Sequence, residues 1–283
     1  MAESQSMRIC QKMDNIGRKI MIMSGKGGVG KTTVTVSLAK ALIKAGYSVG
    51  ILDTDIHGPN IAKMLGCEDA ILAGTDGSID PVVTKEGLKV VSISFALSDP
   101  EDAVVFRGPM KLSVIKQFLS DVNWGKLDYL LIDTPPGTGD EQLAAAQNIP
   151  AMAGCVIVTT PQDVSILDSA RSVSFARQLN LRIIGVIENM SGFVCPHCGE
   201  HVDIFGAGGA EKLCTKEGIA LMGKIPLRVN QEENAPEYDR IASIIHSETK
   251  PLTSKDIGYV PKEEGCTPSA CANCTSDCAS RKN

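Results

Sequence analysis

The sequence predicts an α/β fold: a doubly wound, mostly parallel sheet with helices on both faces. Three observations carry that prediction. Short apolar runs that read as buried strands alternate with stretches of helical length. Two of those runs end in aspartate, at the strand end where an open α/β sheet forms its ligand crevice. A chain of 283 residues with 43% hydrophobic and 4% aromatic content has enough apolar material for one large, aliphatic-cored domain with an appendage.

The first predicted strand is Ile20-Met21-Ile22-Met23, apolar throughout as a strand buried on both faces must be. It runs into Gly25-Lys26-Gly27-Gly28-Val29-Gly30-Lys31-Thr32, which matches G-x-x-x-x-G-K-[ST] and continues with Thr33. Val34 to Ala45 reads as the following helix, closed by Gly46. In this strand–loop–helix setting the glycines let backbone N–H groups converge on phosphate oxygens, and the helix N-terminus adds its positive dipole. Lys31 is expected to reach the β- and γ-phosphates and Thr32 to ligate Mg²⁺. Lys26 is a second lysine in the loop. Its bland alternative is a solvated surface residue.

Val49-Gly50-Ile51-Leu52-Asp53 is the next strand, and it opens into Asp53-Thr54-Asp55-Ile56-His57-Gly58-Pro59-Asn60. Pro81 to Thr84 and Leu88 to Ser92 flank Lys85-Glu86-Gly87 as a hairpin. Leu112 to Leu119 reads as a helix. Leu130-Leu131-Ile132-Asp133 has the Walker B pattern of a buried strand ending in a carboxylate. Beyond it, Pro135-Pro136-Gly137 is stiff, while Gly137 and Gly139 give the freedom a γ-phosphate sensor needs. Glu141 to Gln147 and Val164 to Leu179 read as helices, and Cys155 to Val158 and Ile183 to Ile187 as strands. Asn189, just past the last of these, is a base-recognition candidate or a turn-capping residue. Arg107, in Phe106-Arg107-Gly108-Pro109, fits a helix-start turn and is assigned no role.

The ten cysteines form two groups and a remainder. No signal peptide and no bilayer-length apolar run are visible, so a cytoplasmic location is expected, where clustered cysteines point to metal or redox chemistry rather than structural disulfides. Cys195-Pro196-His197-Cys198 presents two thiolates at metal-site spacing in a tight loop. Three readings are open: an iron–sulfur ligand pair, a zinc site completed by His197 or His201, or a dithiol/disulfide pair. After Ile245 the chain turns polar and reads as a mobile tail ending in Cys266, Cys271, Cys274 and Cys278, an iron–sulfur or zinc ligand set. The predicted organisation is therefore an N-terminal extension over 1–17, a nucleotide-binding domain over 18–248, and a tail over 249–283. Cys155 is expected to be buried; Cys10, Cys67 and Cys214 receive no role.

With these motifs in order, the chain resembles the deviant Walker A ATPases, the group of MinD, ParA and the nitrogenase iron protein. Within that group it is most similar to the Mrp/ApbC family of P-loop ATPases that carry or scaffold iron–sulfur clusters. The resemblance spans roughly residues 15 to 250 and rests on Lys26, the two Asp-terminated strands, and the Asn189-to-Phe193 segment that leads into Cys195-Pro196-His197-Cys198-Gly199. It implies a homodimer that binds and hydrolyses ATP with Mg²⁺ and passes a [4Fe–4S] cluster to apo-proteins. In that family's terms Lys26 reaches the partner's nucleotide. Asp55 positions water, and Asp53 and Asp133 support the metal. Asn189 contacts the base, and Gly223 to Leu227 form a loop over the base's other side. Two Cys195/Cys198 pairs then complete a bridging site on the dimer axis. The resemblance leaves room for an ATP-gated electron donor like the nitrogenase iron protein, and the residues themselves for a zinc-stapled regulatory ATPase.

A net charge of −5 argues against non-specific nucleic-acid binding. The Cys-, Pro- and Gly-bearing C-terminus lacks the basic amphipathic helix of a membrane-surface anchor.

Overall fold

One nine-stranded sheet organises the computed structural model, which describes residues 4–55, 60–75, 77–96, 108–228 and 235–261. Helix α1 (Gln5–Asp14) leads into β1 (Ile16–Met23), the phosphate loop and α2 (Lys31–Lys44). Next come β2 (Val49–Asp53), the short α3 (Ile61–Leu65), a separate ribbon of β3 (Ala73–Thr75) and β4 (Ser78–Asp80), and the hairpin strands β5 (Val82–Val83) and β6 (Lys89–Val91). The rest of the chain alternates α4 (Gly108–Asp121), β7 (Leu127–Asp133), α5 (Asp140–Asn148), β8 (Met152–Thr159), α6 (Asp163–Gln178) and β9 (Ile183–Val194). It closes with β10 (His201–Val202), α7 (Gly209–Glu217), β11 (Leu221–Leu227) and α8 (Pro236–Glu248).

Along the sheet the order is β10-β9-β8-β1-β7-β2-β6-β5, with β11 also paired to β9. The inner pairings are parallel; β5 and β10 join antiparallel at the margins. Strand β1 shows why the sheet is covered on both faces. Ile20 and Ile22 point into one core with Val34, Leu38 and Leu42 of α2 and Ile241 and Ile245 of α8. Met21 and Met23 point into the other with Ile9 and Met13 of α1, Phe118 and Leu119 of α4, and Ala144 and Ala145 of α5. Burial of each large aliphatic side chain contributes about 1.5–3 kcal/mol, so this two-sided apolar alternation fixes the strand register.

Three boundaries differ from the sequence expectations. The segment expected as an N-terminal extension contains α1, capped by the Ser4 hydroxyl on the Met7 N–H, and the first residues of β1. Only Ile9 and Met13 of α1 are buried, too few for an apolar rhythm to be visible. The start of the expected tail is tied under β1. Leu252 donates its N–H to the Gly17 carbonyl, and Ser254 donates to Asp14. The buried Lys19 ammonium donates to the carbonyls of Met13, Ile16 and Leu252 at 3.2, 3.1 and 2.7 Å. Such side-chain–backbone ties leave no periodic signal in a sequence. Finally, Gly223 to Leu227 is not a loop but most of β11, parallel to β9.

Candidate nucleotide site and cysteine hairpin

Strands β1, β7 and β2 are neighbours, and their C-terminal ends finish level, with Asp133 opposite both Ile22 and Asp53. Adjacent strand ends thus bring the phosphate loop and two carboxylates to one edge. Gly28 and Gly30 have φ of +79° and +80°, the left-handed region that glycine alone enters without strain. At Gly25 the reason is space: a Cβ would lie 2.1 Å from the Asp168 carbonyl oxygen of α6. Lys26 to Thr33, including Gly27, Val29 and Thr32, curl around a pocket of about 540 Å³ that Asp55, Asn60, Lys63, Met64 and Pro136 also line.

An adjoining pocket of about 110 Å³ shares Gly30 and Thr33 and is lined by Asn189, Met190, Ile225, Pro226 and Leu227. The two segments singled out for base recognition therefore meet beside the phosphate loop, although one of them is a strand. The Asn189 side-chain amide donates to the Val29 carbonyl at 2.9 Å, so this residue also braces the loop.

Asp133 is the hub of the site. It is fully buried, and Lys31 Nζ lies 2.7 Å from its Oδ2. The Thr32 hydroxyl donates to Oδ2 at 2.7 Å, and the Thr35 hydroxyl donates to Oδ1 at 2.7 Å. Sequence reasoning missed Thr35; it stands one helical turn after Lys31, on the face of α2 that meets β7. Asp53 is also buried. It accepts from Ser92, a second residue not anticipated, and from the Asp55 N–H. Burial, reinforced by the Asp133 charge, pushes Asp53 up to about 8.

Thr32, Asp53 and Asp133 form a hard-oxygen donor set suited to Mg²⁺, and two neighbouring buried carboxylates sharing one lysine are the charge imbalance a dication relieves. Without metal the folded state keeps the Asp53 proton to about pH 8, whereas the unfolded chain loses it in the ordinary carboxylate range. The fold therefore binds more protons between those limits, and stability falls as pH rises through that window. Asp53→Asn is expected to remove this contribution. In metal- and nucleotide-free melts the variant's Tm advantage should grow from about pH 5 to about pH 8. A constant difference would mean that Asp53 is ionised throughout.

The segment after Asp133 is fastened to the loop itself. Gly137, at φ +91°, donates its N–H to the Ser24 carbonyl at 2.8 Å, and the Thr134 hydroxyl donates to the Ile22 carbonyl at 2.9 Å. The Gln142 amide holds the Pro135 carbonyl from α5. A ligand that displaces the loop must move this turn too.

Cys195 and Cys198 sit at the tip of the β9–β10 hairpin. The Cys195 N–H donates to the Glu200 carbonyl, and the Gly199 N–H, at φ +74°, donates back to the Cys195 carbonyl. Cys198 is exposed and Cys195 half-buried. The backbone N–H groups of Cys198 and His197 point at the Cys195 sulfur and hold its thiol below the ordinary range, toward the thiolate a metal centre requires. Among the described residues no group of three or more His, Cys, Asp or Glu side chains is placed to hold a metal ion. His201 instead lies 3.7 Å from Asp203. Burial pushes Cys155 up to about 12 and Cys214 up to about 11, as for inert core thiols. Cys266, Cys271, Cys274, Cys278, His57 and Arg107 lie outside the described residues.

A glycine cradle opening a helix, a lysine and threonine on a Walker B aspartate, and a sensor turn on the same parallel sheet define a P-loop NTPase. The particular branch follows from comparison with known proteins. The ParA family model described as NUBPL iron-transfer P-loop NTPase matches residues 15–257, and the chain belongs to that family. It is 56% identical over 229 residues to the iron-sulfur cluster carrier protein of Methanocaldococcus jannaschii, covering 81% of this chain and 79% of that protein. It is 48% identical to the cytosolic Fe-S cluster assembly factor NUBP2 of Bos taurus, over 74% and 78% of the two chains. Among solved structures, a nucleotide-binding protein from Archaeoglobus fulgidus in complex with ADP aligns with a TM-score of 0.69 and 38% identity, covering 86% of this chain and 93% of that one. The cell division ATPase MinD of Pyrococcus furiosus shares the fold, with a TM-score of 0.57 at 23% identity, over 82% and 99% of the chains. Among the described residues no helix is long and apolar enough to cross a membrane.

Proposed function

We propose that this chain is a cytoplasmic, Mg²⁺-dependent ATPase that works as a homodimer, holds a [4Fe–4S] cluster between the Cys195/Cys198 pairs of two copies, and passes it to apo-proteins. The observation that carries this reading is that one strand serves both sites. Asn189 of β9 braces the phosphate loop through Val29, and Cys195 follows only six residues later, just past the end of that strand. Between them Met190 and Gly192 both have left-handed backbones, at φ +56° and +74°. A change at the phosphate loop therefore has a short covalent route to the sulfurs.

In this reading the loop N–H groups and Lys31 hold the phosphates. Thr32, Asp133 and Asp53 hold Mg²⁺, which stabilises charge developing on the transferred phosphoryl group. Asp55 orients the attacking water. Lys26 is exposed at the mouth of the pocket and reaches the nucleotide of the second copy, in the manner of an arginine finger supplied in trans. Asn189 and the end of β11 enclose the base. A thiolate pair supplies half of a four-thiolate site, and a second copy supplies the rest. The tail cysteines Cys266, Cys271, Cys274 and Cys278 are proposed as a second, separate iron–sulfur site.

The test is transfer. Cluster-loaded protein mixed with an excess of apo-ferredoxin should lose its iron and sulfide to the acceptor and resume loading only when both are resupplied. Retention of the cluster through many rounds of ATP hydrolysis, with electrons passed instead, would identify an electron donor like the nitrogenase iron protein.

A further inference from the structure

The phosphate pocket has a third lysine, which no motif predicted. Lys63 lies on α3, whose Ile61 and Ala62 are anchored in the core, and its side chain lines the pocket together with Asp55, Asn60 and Met64. Unlike Lys31, which is committed to Asp133 at 2.7 Å, Lys63 has no carboxylate partner among the described residues.

Its position along the pocket is informative. The smaller base-side pocket joins the phosphate loop at Gly30 and Thr33, next to Asn189 and Pro226. Lys63 belongs to the larger pocket and is absent from the smaller one, in the company of Asp55, the residue placed to meet the attacking water. A nucleotide with its base against Asn189 therefore runs its phosphates along Gly30 and Lys31 toward α3. Electrostatics favour a cation there. Asp133 already offsets Lys31, so a nucleoside triphosphate brings more negative charge than the loop neutralises.

We propose that Lys63 is a specificity-determining residue that engages the terminal phosphate of a bound nucleoside triphosphate in the same chain, and so distinguishes the triphosphate from the diphosphate. The inference rests on the nucleotide-site reading above. It differs from the role given to Lys26, which acts across the dimer. Because Lys63 and Asp55 line the same pocket, contact between Lys63 and the last phosphate would also report triphosphate occupancy to that wall of the pocket.

The test compares binding of fluorescent ADP and of a fluorescent non-hydrolysable ATP analogue to the full-length wild-type chain, Lys63→Gln, Lys63→Arg and Lys31→Ala. Loss of one charge-assisted hydrogen bond should weaken the ATP analogue about tenfold in Lys63→Gln while ADP binding changes less than about twofold. Lys63→Arg should restore most of the preference, and Lys31→Ala should weaken both ligands. Equal loss of both nucleotides in Lys63→Gln, or no loss of either, overturns the proposal while leaving the site reading intact, provided Lys31→Ala still loses both. If Lys31→Ala binds both normally, the site reading fails, and this proposal with it.

Discussion

Lys31→Ala is expected to lower ATP hydrolysis by about a hundredfold or more, the scale on which removal of one preorganised charge-stabilising donor acts. Lys31 is not only a phosphate ligand. It is buried and is the cation of a cluster that also holds Asp133, Thr32 and, behind them, Asp53. Taking one partner out of a buried ion pair leaves its carboxylate uncompensated, at a cost of roughly 3–5 kcal/mol. The variant should therefore melt earlier as well as turn over more slowly. Adding Mg²⁺ should recover part of the lost Tm if Thr32, Asp53 and Asp133 bind it, whereas hydrolysis should stay low. A Lys31→Ala protein with full ATPase activity would show that phosphates bind elsewhere.

The double substitution Cys195→Ala with Cys198→Ala should act on the other half of the account and on nothing else. Both residues lie at a hairpin tip beyond the last paired residues of β9 and β10, and neither supports the core. Stability should change by less than about 0.5 kcal/mol, as for surface positions free of special contacts. Nucleotide affinity should stay at the wild-type level. The expected loss is complete for cluster held between two chains, because the substituted hairpins offer iron no thiolate. Iron and sulfide that persist at wild-type level, in protein whose tail cysteines have also been replaced, would show that the hairpin is not the cluster site.

Most of the fold is legible in the sequence, for a physical reason. A strand buried on both faces must be apolar throughout, so Ile20 to Met23, Leu130 to Ile132 and Cys155 to Val158 stand out, and a phosphate loop fixes which strand comes first. What escaped notice depends on contacts distant in sequence. Helix α1 buries only two side chains, and Lys19 earns its place through three carbonyls, one of them 233 residues away. The resemblance implied a loop at Gly223 to Leu227, and Gly223 and Pro226 weaken strand propensity there; pairing with β9 makes it strand β11, and the Cβ-free space at Gly223 is filled by Ile241 of α8.

The site shows the same division. Lys31, Thr32, Asp53, Asp55 and Asp133 gather at one sheet edge, and each could be singled out because a P-loop and strand ends are local features of the sequence. Thr35, Ser92 and Lys63 were not found, since each acts from a different element on a group that only the folded sheet brings near. For Cys195 and Cys198 the spacing leaves iron–sulfur, zinc and dithiol readings open, and two thiols at a tight hairpin tip fit all three.

The most direct test of the central claim is native mass spectrometry, joined to iron and sulfide analysis, on anaerobically reconstituted protein ending at Pro261. Such a chain retains Cys195 and Cys198 and lacks the tail cysteines. The account predicts a dimer carrying one [4Fe–4S] cluster per two chains, which dissociates to monomers when the cluster is chelated away. A monomer that holds zinc, or a dimer that holds neither iron nor sulfide, would contradict it.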